Sequence, residues 1–279
     1  MAERAAQLIR GAEVLVYCLG AGIGADSGLG TFRGRHQVDT GFGPLERGEE
    51  TPYSLSKARR FDENPNLAWG YHYTRECNFR AAEPHEGYRI LLQWTDTRPY
   101  AVFTSNIDCH FERALRAAVA AMPDALVEYH GSVKWMQCHV NCKKKLHPPN
   151  TAQYEVDPKT GEADSYPVCP DCRSRMRHNV CLISDGAFND DIRARELARM
   201  KRFETQSNGK RVVVVEIGAG RAIPTVRNKS IELVRTLGAT LVRINLDDAE
   251  LDGLEADERH VSIGERGALD ALREIALFR

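Results

Sequence analysis

Apolar residues in this chain occur either as short unbroken runs or as stripes with helical spacing, and the two kinds alternate. Residues 5–10 have the spacing of a helix end, and residues 13–19 form a β-rich run that closes on Gly20, Gly22 and Gly24. Residues 33–52 are polar and rich in glycine, which predicts a loop. Over 54–80 the residues Leu55, Phe61, Leu67, Trp69, Tyr71 and Tyr73 supply the apolar side of a helix, and 85–94 predicts another after Pro84. A buried strand over 100–104 ends at Ser105-Asn106-Ile107-Asp108, a helix follows over 109–121, and a short strand at 127–129 leads into His130-Gly131-Ser132. Residues 134–177 show little periodicity, as expected of a small module held by something other than a core. Beyond it come a strand over 179–184 and a charged helix over 189–203, capped by Asn189 or Asp190, whose Asp190, Asp191, Arg193 and Arg195 read as a solvated face. The clearest strand, 211–217, runs into Gly218 and Gly220, and a strand at 241–246 and a helix at 268–277 complete the chain. Strands alternating with helices predict an α/β architecture, a parallel sheet with helices on both faces.

Composition narrows the function. The 279 residues suffice for one large domain or a domain with a smaller lobe. With 38 basic against 39 acidic residues, no global field would draw the chain to nucleic acid or an anionic membrane, and neither is expected as a direct partner. No apolar run approaches the roughly 20 residues of a membrane span. The first residues pass from an amphipathic stretch straight into strand and glycines, without the pattern of a cleavable leader, so a cytoplasmic or nuclear location is the default.

Gly20-Ala21-Gly22-Ile23-Gly24-Ala25 follows a strand, the setting in which glycines let the backbone approach a dinucleotide's phosphates and turn amide groups toward them. The pattern alone leaves open a mere tight strand-to-helix turn. A hydride-transferring enzyme should add a second strand ending in an acid about 20 positions on. Asp39 stands near that distance, but Arg33-Gly34-Arg35-His36-Gln37 before it is too polar for a buried parallel strand, which argues against hydride transfer.

Of eight cysteines, four form close pairs: Cys138-x3-Cys142, then 26 residues, then Cys169-x2-Cys172. In a chain without a secretion signal this spacing predicts one tetrahedral zinc ion, and four thiolates leave no open position for water, so the metal would be structural. His139 and His147 are weaker alternatives as ligands, and Cys18, Cys77, Cys109 and Cys181 read as ordinary buried or idle thiols.

Taken together, the run from Gly20 to Gly34, Thr104-Ser105-Asn106-Ile107-Asp108, His130-Gly131 and the paired cysteines resemble the sirtuin family of NAD-dependent protein deacylases, of which the chain looks like a divergent member. The resemblance implies a single catalytic domain over 1–279: a Rossmann-like parallel sheet flanked by helices (about 1–35, 85–134 and 178–279), with a smaller lobe made of a helical insert (about 36–84) and a zinc-binding module (about 135–177). NAD would lie between the lobes as co-substrate. By position, Gly20, Ala21, Gly22, Ala25 and Arg33 would line the diphosphate and ribose, and Phe32 would cover the nicotinamide. Ser105, Asn106, Ile107 and Asp108 would form the nicotinamide pocket, Asp108 accepting from the carboxamide. Gly218, Ala219 and Gly220 resemble the second phosphate loop, and Arg243-Ile244-Asn245 the strand end that holds the adenosine ribose. His130, with Asn106, is the catalytic candidate, because an imidazole titrating near neutrality can take a proton from a ribose hydroxyl. In the family the acyl-lysine oxygen displaces nicotinamide and acyl-ADP-ribose is formed, so an acyl-lysine protein or peptide is the expected partner.

The departures from the family pattern cluster around substrate. Gly24 stands where serine is common, Thr31 where an aspartate precedes Phe-Arg, Ser105 where a glutamine contacts ribose, and Ala219 and Gly220 where a threonine and a serine are usual. In the stretch 177–186 that would clamp a peptide by strand pairing, Val180 and Asp185 retain the pattern. Two other outcomes therefore stay open at this level: transfer of ADP-ribose to another acceptor or to water, and a nucleotide sensor without turnover.

Overall fold

The computed structural model describes residues 1–31, 42–95, 98–254 and 259–278. The expected sheet forms from β1 (Val14–Leu19), β2 (Tyr100–Thr104), β3 (Ala125–Glu128), β7 (Val212–Ile217), β8 (Thr240–Ile244) and β9 (Val261–Ile263), in the order β3-β2-β1-β7-β8-β9 and with every pairing parallel. Successive side chains of β1 point to opposite faces. Leu15, Tyr17 and Leu19 enter a core with α1 (Ala2–Gly11), α6 (Glu86–Trp94), α7 (His110–Ala117) and α10 (Ala268–Leu277), built around Ile9, Leu91, Trp94 and Leu272. Val14, Val16 and Cys18 face the other side, under Met200 and Phe203 of α8 (Asp191–Ser207) and Val226 and Leu233 of α9 (Thr225–Leu237). Because helices cover both faces, all six residues of β1 and of β7 are buried, which is why these strands read as unbroken apolar runs.

The chain runs outward from β1 through β2 and β3, then returns to build β7, β8 and β9 on the other side. A crevice therefore opens beyond the carboxyl ends of β1 and β7, where the strand order reverses. Gly20 and Gly218 follow those two strand ends.

The second, three-stranded sheet has the order β5-β4-β6, from β4 (Gly131–Cys138), β5 (Leu146–His147) and β6 (Met176–Val180), all antiparallel. The short helix α4 (Arg60–Glu63) and the longer α5 (Pro65–Ala81) pack on it, and α2 (Gly43–Glu46) and α3 (Pro52–Leu55) pack against α5 through a second cluster of Phe42, Leu55 and Tyr71. Trp69 of α5 lies 5.0 Å from the ring of His178 and 5.4 Å from that of Tyr154, and Glu76 meets His178 at 2.8 Å, so insert and cysteine-bearing segment share one interior.

Several expectations change. The single helix expected over 54–80 is broken, because Lys57 leaves it to bridge Ile183, and Asn64 then caps a new helix at Leu67 with Pro65 in its first turn. The strand expected at 179–184 lies at 176–180, set by pairing with β4, and the boundaries expected at 135 and 177 fall inside β4 and β6. The helix expected over 109–121 ends at Ala117, and α9 and β4 were not expected at all. Among the described residues no helix is long and apolar enough to cross a membrane.

Candidate active site

The crevice at the switch point is a cleft of about 790 Å³, within the usual range for a small-molecule site. One side is the backbone that leaves β1, a 3₁₀ segment over Ala21–Ser27 that opens on Gly20 and closes on Gly28. Opposite it lies the loop after β7, and the two touch: the N–H of Gly22 donates to the carbonyl of Gly218 at 3.0 Å. Gly20, Ala21, Gly22, Ala25, Gly218, Ala219 and Gly220 all line the cleft, a backbone-rich surface suited to phosphate oxygens. Phe32, Arg33 and Asp39 lie outside the described residues.

The loop after β2 is fixed by its own hydrogen bonds. Ser105 donates its N–H to Leu19 at 3.1 Å, and Asn106 donates its side-chain amide to Gly20 at 3.1 Å and its N–H to the Thr104 hydroxyl at 3.0 Å. These bonds bring Ser105, Asn106, Ile107 and Asp108 into the cleft beside the first glycine loop. Asp108 accepts the N–H of His110 at 2.8 Å, and burial pushes its carboxyl above the ordinary aspartate value, partly countered by His110 and Arg75. A side chain at Gly24 would point at this carboxylate, its Cβ 3.8 Å away.

At the end of β3, His130 faces the same cleft. Burial, and then the positive charge of Arg193, hold its imidazole below the ordinary histidine value, so it is neutral at neutral pH and available as a proton acceptor. Its Nε2 lies 3.4 Å from the hydroxyl of Thr225. Beyond it, Val180, Cys181, Leu182 and Ile183 form a wall that runs from β6. This wall is tied down from behind: Arg177 meets Asp185 through two bonds of 2.7 Å, and Asp185 also accepts the N–H of Leu182 at 3.2 Å.

Beyond the end of β8, Asn245 lines the cleft and donates to Ala219 at 2.9 Å, while its own oxygen accepts the N–H groups of Asp247 and Asp248. Arg243, two residues before Asn245, does not line the cleft: it is fully buried and paired with Glu216 at 2.6 Å. Cys181, one of the four unpaired cysteines, lines the cleft, and burial raises its thiol above the ordinary cysteine value. Of the face read as solvated, Asp190, Asp191 and Arg195 are exposed, whereas Arg193 is half-buried and lies over two aromatic rings. His72 and Arg75 of α5 also line the cleft, and were missed because their i, i+3 spacing reads equally well as an exposed helical edge.

The four paired cysteines converge at the tip of the small sheet, their sulfurs all within 4.8 Å of one another. Cys138 and Cys172 are 3.6 Å apart and Cys142 and Cys169 3.8 Å. A tetrahedron of Zn–S bonds of about 2.3 Å has edges of about 3.8 Å, so this geometry fits a zinc ion. His139 stacks on Phe61 and pairs with Asp62 instead.

Comparison with known proteins agrees with this arrangement. The Sir2 family profile matches residues 20–205. An NAD-dependent protein deacylase of Pseudomonas putida is 30% identical over 261 residues, covering 92% of this chain and 87% of its own length. One from Mycobacterium tuberculosis is 27% identical, covering 84% of this chain and 86% of its own. Among solved structures, a Sir2 homolog–NAD complex superposes with a TM-score of 0.68 at 19% identity over 99% of this chain and 93% of its own. A Sir2–p53 peptide–NAD+ complex gives 0.66 at 19% identity over 97% and 95%. With that profile covering residues 20–205 and the Pseudomonas putida relative matching over most of both chains, the chain belongs to the Sir2 family.

Proposed function

We propose that this protein is an NAD-dependent protein-lysine deacylase that passes the acyl group of a lysine side chain to ADP-ribose and releases nicotinamide. One observation carries the reading: a neutral, half-buried imidazole, His130, shares a cleft with two touching glycine loops and the loop that carries Asp108. The relatives of Pseudomonas putida and Mycobacterium tuberculosis that carry this activity in their names support it over most of the chain.

In this reading the glycine loops hold the diphosphate of NAD, and the 105–108 loop holds the nicotinamide. The acyl-lysine enters along the wall at Val180–Leu182, opposite. Its acyl oxygen forms a bond to the ribose carbon as the bond to nicotinamide breaks, and the pair of electrons leaves with a neutral ring. Fixed dipoles of the closed cleft stabilise the charge that develops on the ribose. His130 then takes the proton of a ribose hydroxyl, so that the oxygen can attack the acyl carbon; a water adds to that carbon, its C–N bond breaks, and the lysine leaves as the free amine with the acyl group left on the ribose oxygen. The cysteine cluster takes no part in this chemistry and holds one structural zinc ion.

The test is nicotinamide release from NAD with and without an acetyl-lysine peptide, with the product identified by mass. Acyl-ADP-ribose formed only with peptide, and reduced by about 10²–10⁴ in His130→Ala, is the expected result. Release that ignores the peptide, or ADP-ribose attached to another acceptor, would overturn it.

A further inference from the structure

We propose that Arg193, in the first turn of α8, is a positioning residue for His130, holding the wall behind the imidazole and placing a fixed positive charge there. The proposal rests on the reading of His130 as the proton acceptor. The ring of Tyr129 packs edge-on against His130, with centroids 5.5 Å apart. The Arg193 guanidinium lies over that tyrosine ring at 5.4 Å and over Phe188 at 4.8 Å, as a cation on two π faces. The N–H of Cys181, on the facing segment, donates to the carbonyl of His130 at 2.9 Å. Phe188 in turn stands against Gly131, where an added Cβ would come within 3.2 Å of its ring. One side chain thus touches both the ring beside the base and the ring that backs its neighbour.

The charges around His130 are few. Asp190, the acidic partner of Arg193, is 3.5 Å from it and 60% exposed, so water screens it and it neutralises little. Cys181, on the opposite segment, is kept protonated by burial. From α9 comes the uncharged Thr225 hydroxyl, and from β3 the uncharged Tyr129. The cation of Arg193 therefore acts on the imidazole without a nearby opposing carboxylate, and disfavours its protonated form. The planar guanidinium adds what a lysine would not, a stacked surface that fixes the tyrosine.

The experiment titrates the His130 imidazole by NMR in wild type, Arg193→Met and Arg193→Lys, with its signal assigned by its loss in His130→Ala. The same proteins give the pH profile of kcat/KM. The wild-type midpoint should lie below 6.5, and Arg193→Met should raise it, with the acid limb of kcat/KM moving with it. Arg193→Lys should keep the midpoint near that of wild type while kcat falls, because charge is retained and stacking lost. A midpoint unmoved in Arg193→Met, or raised equally in Arg193→Lys, overturns the proposal. An acid limb that survives in His130→Ala defeats the underlying assignment of the base instead, and the NMR midpoints still decide whether Arg193 acts on the imidazole.

Discussion

Gly22 and Gly218, one from each half of the sheet, meet backbone to backbone: a Cβ built on Gly22 would lie 2.6 Å from the Cα of Gly218, and one built on Gly218 would lie 2.5 Å from the Cα of Gly22. Neither contact is with a flexible side chain, so neither loop can yield without moving the cleft wall. Gly218 also has φ +63°, a conformation that costs an L-residue roughly 1–2 kcal/mol. Gly218→Ala should therefore lower the melting temperature and abolish measurable ADP-ribose binding by calorimetry, and Gly22→Ala should weaken binding with the smaller loss of stability. Unchanged affinity in both would show that the loops do not hold the dinucleotide.

The Arg177–Asp185 pair leaves each side chain 1% exposed, so removing one partner strands a buried charge. Asp185→Ala should cost about 3–5 kcal/mol in urea unfolding. Because Asp185 also holds Leu182 in the cleft wall, the KM for an acyl peptide should rise more than that for NAD. Equal rises would place the damage in the whole fold.

Asp108 gives a pH dependence of stability. Its carboxyl in the fold lies above the ordinary 3.8, so the neutral acid is the form that the fold favours. That contribution is complete below 3.8 and is lost as pH rises through the folded value. Asp108→Asn, which stays neutral, should melt higher than wild type at pH 7, with the gap closing toward pH 3, while nicotinamide release falls. Melting curves across that range check the sign, and an asparagine variant less stable at pH 7 would contradict it.

The sulfur spacing predicts roughly one tightly held zinc per chain by elemental analysis. Cys172→Ser or a strong chelator should release it and lower the melting temperature. Because Cys138 ends β4 and its partners tie down the loops beyond, amide exchange should accelerate across β4 and β6 before the parallel sheet. Metal loss with unchanged exchange there would refute a structural role.

Much of this was determined by the sequence alone. Unbroken apolar runs closing on glycines are local signals, and they place β1, β2 and β7 and the two loops beyond β1 and β7. The cysteine spacing is equally local and identifies a four-sulfur cluster. Only the tertiary structure decided what the charged and polar residues do. Arg193 and Arg243 sit in stretches whose pattern reads as solvated or as ligand-facing, yet they end in an aromatic stack and an ion pair with residues far away in the chain. A charge is buried only where a partner from another element meets it, and no period along the sequence records that meeting. The loop that begins at Gly20 was legible in the sequence, but the wall behind His130, built from residues 129, 181, 188, 193 and 225, exists only once β3, α8 and α9 have packed.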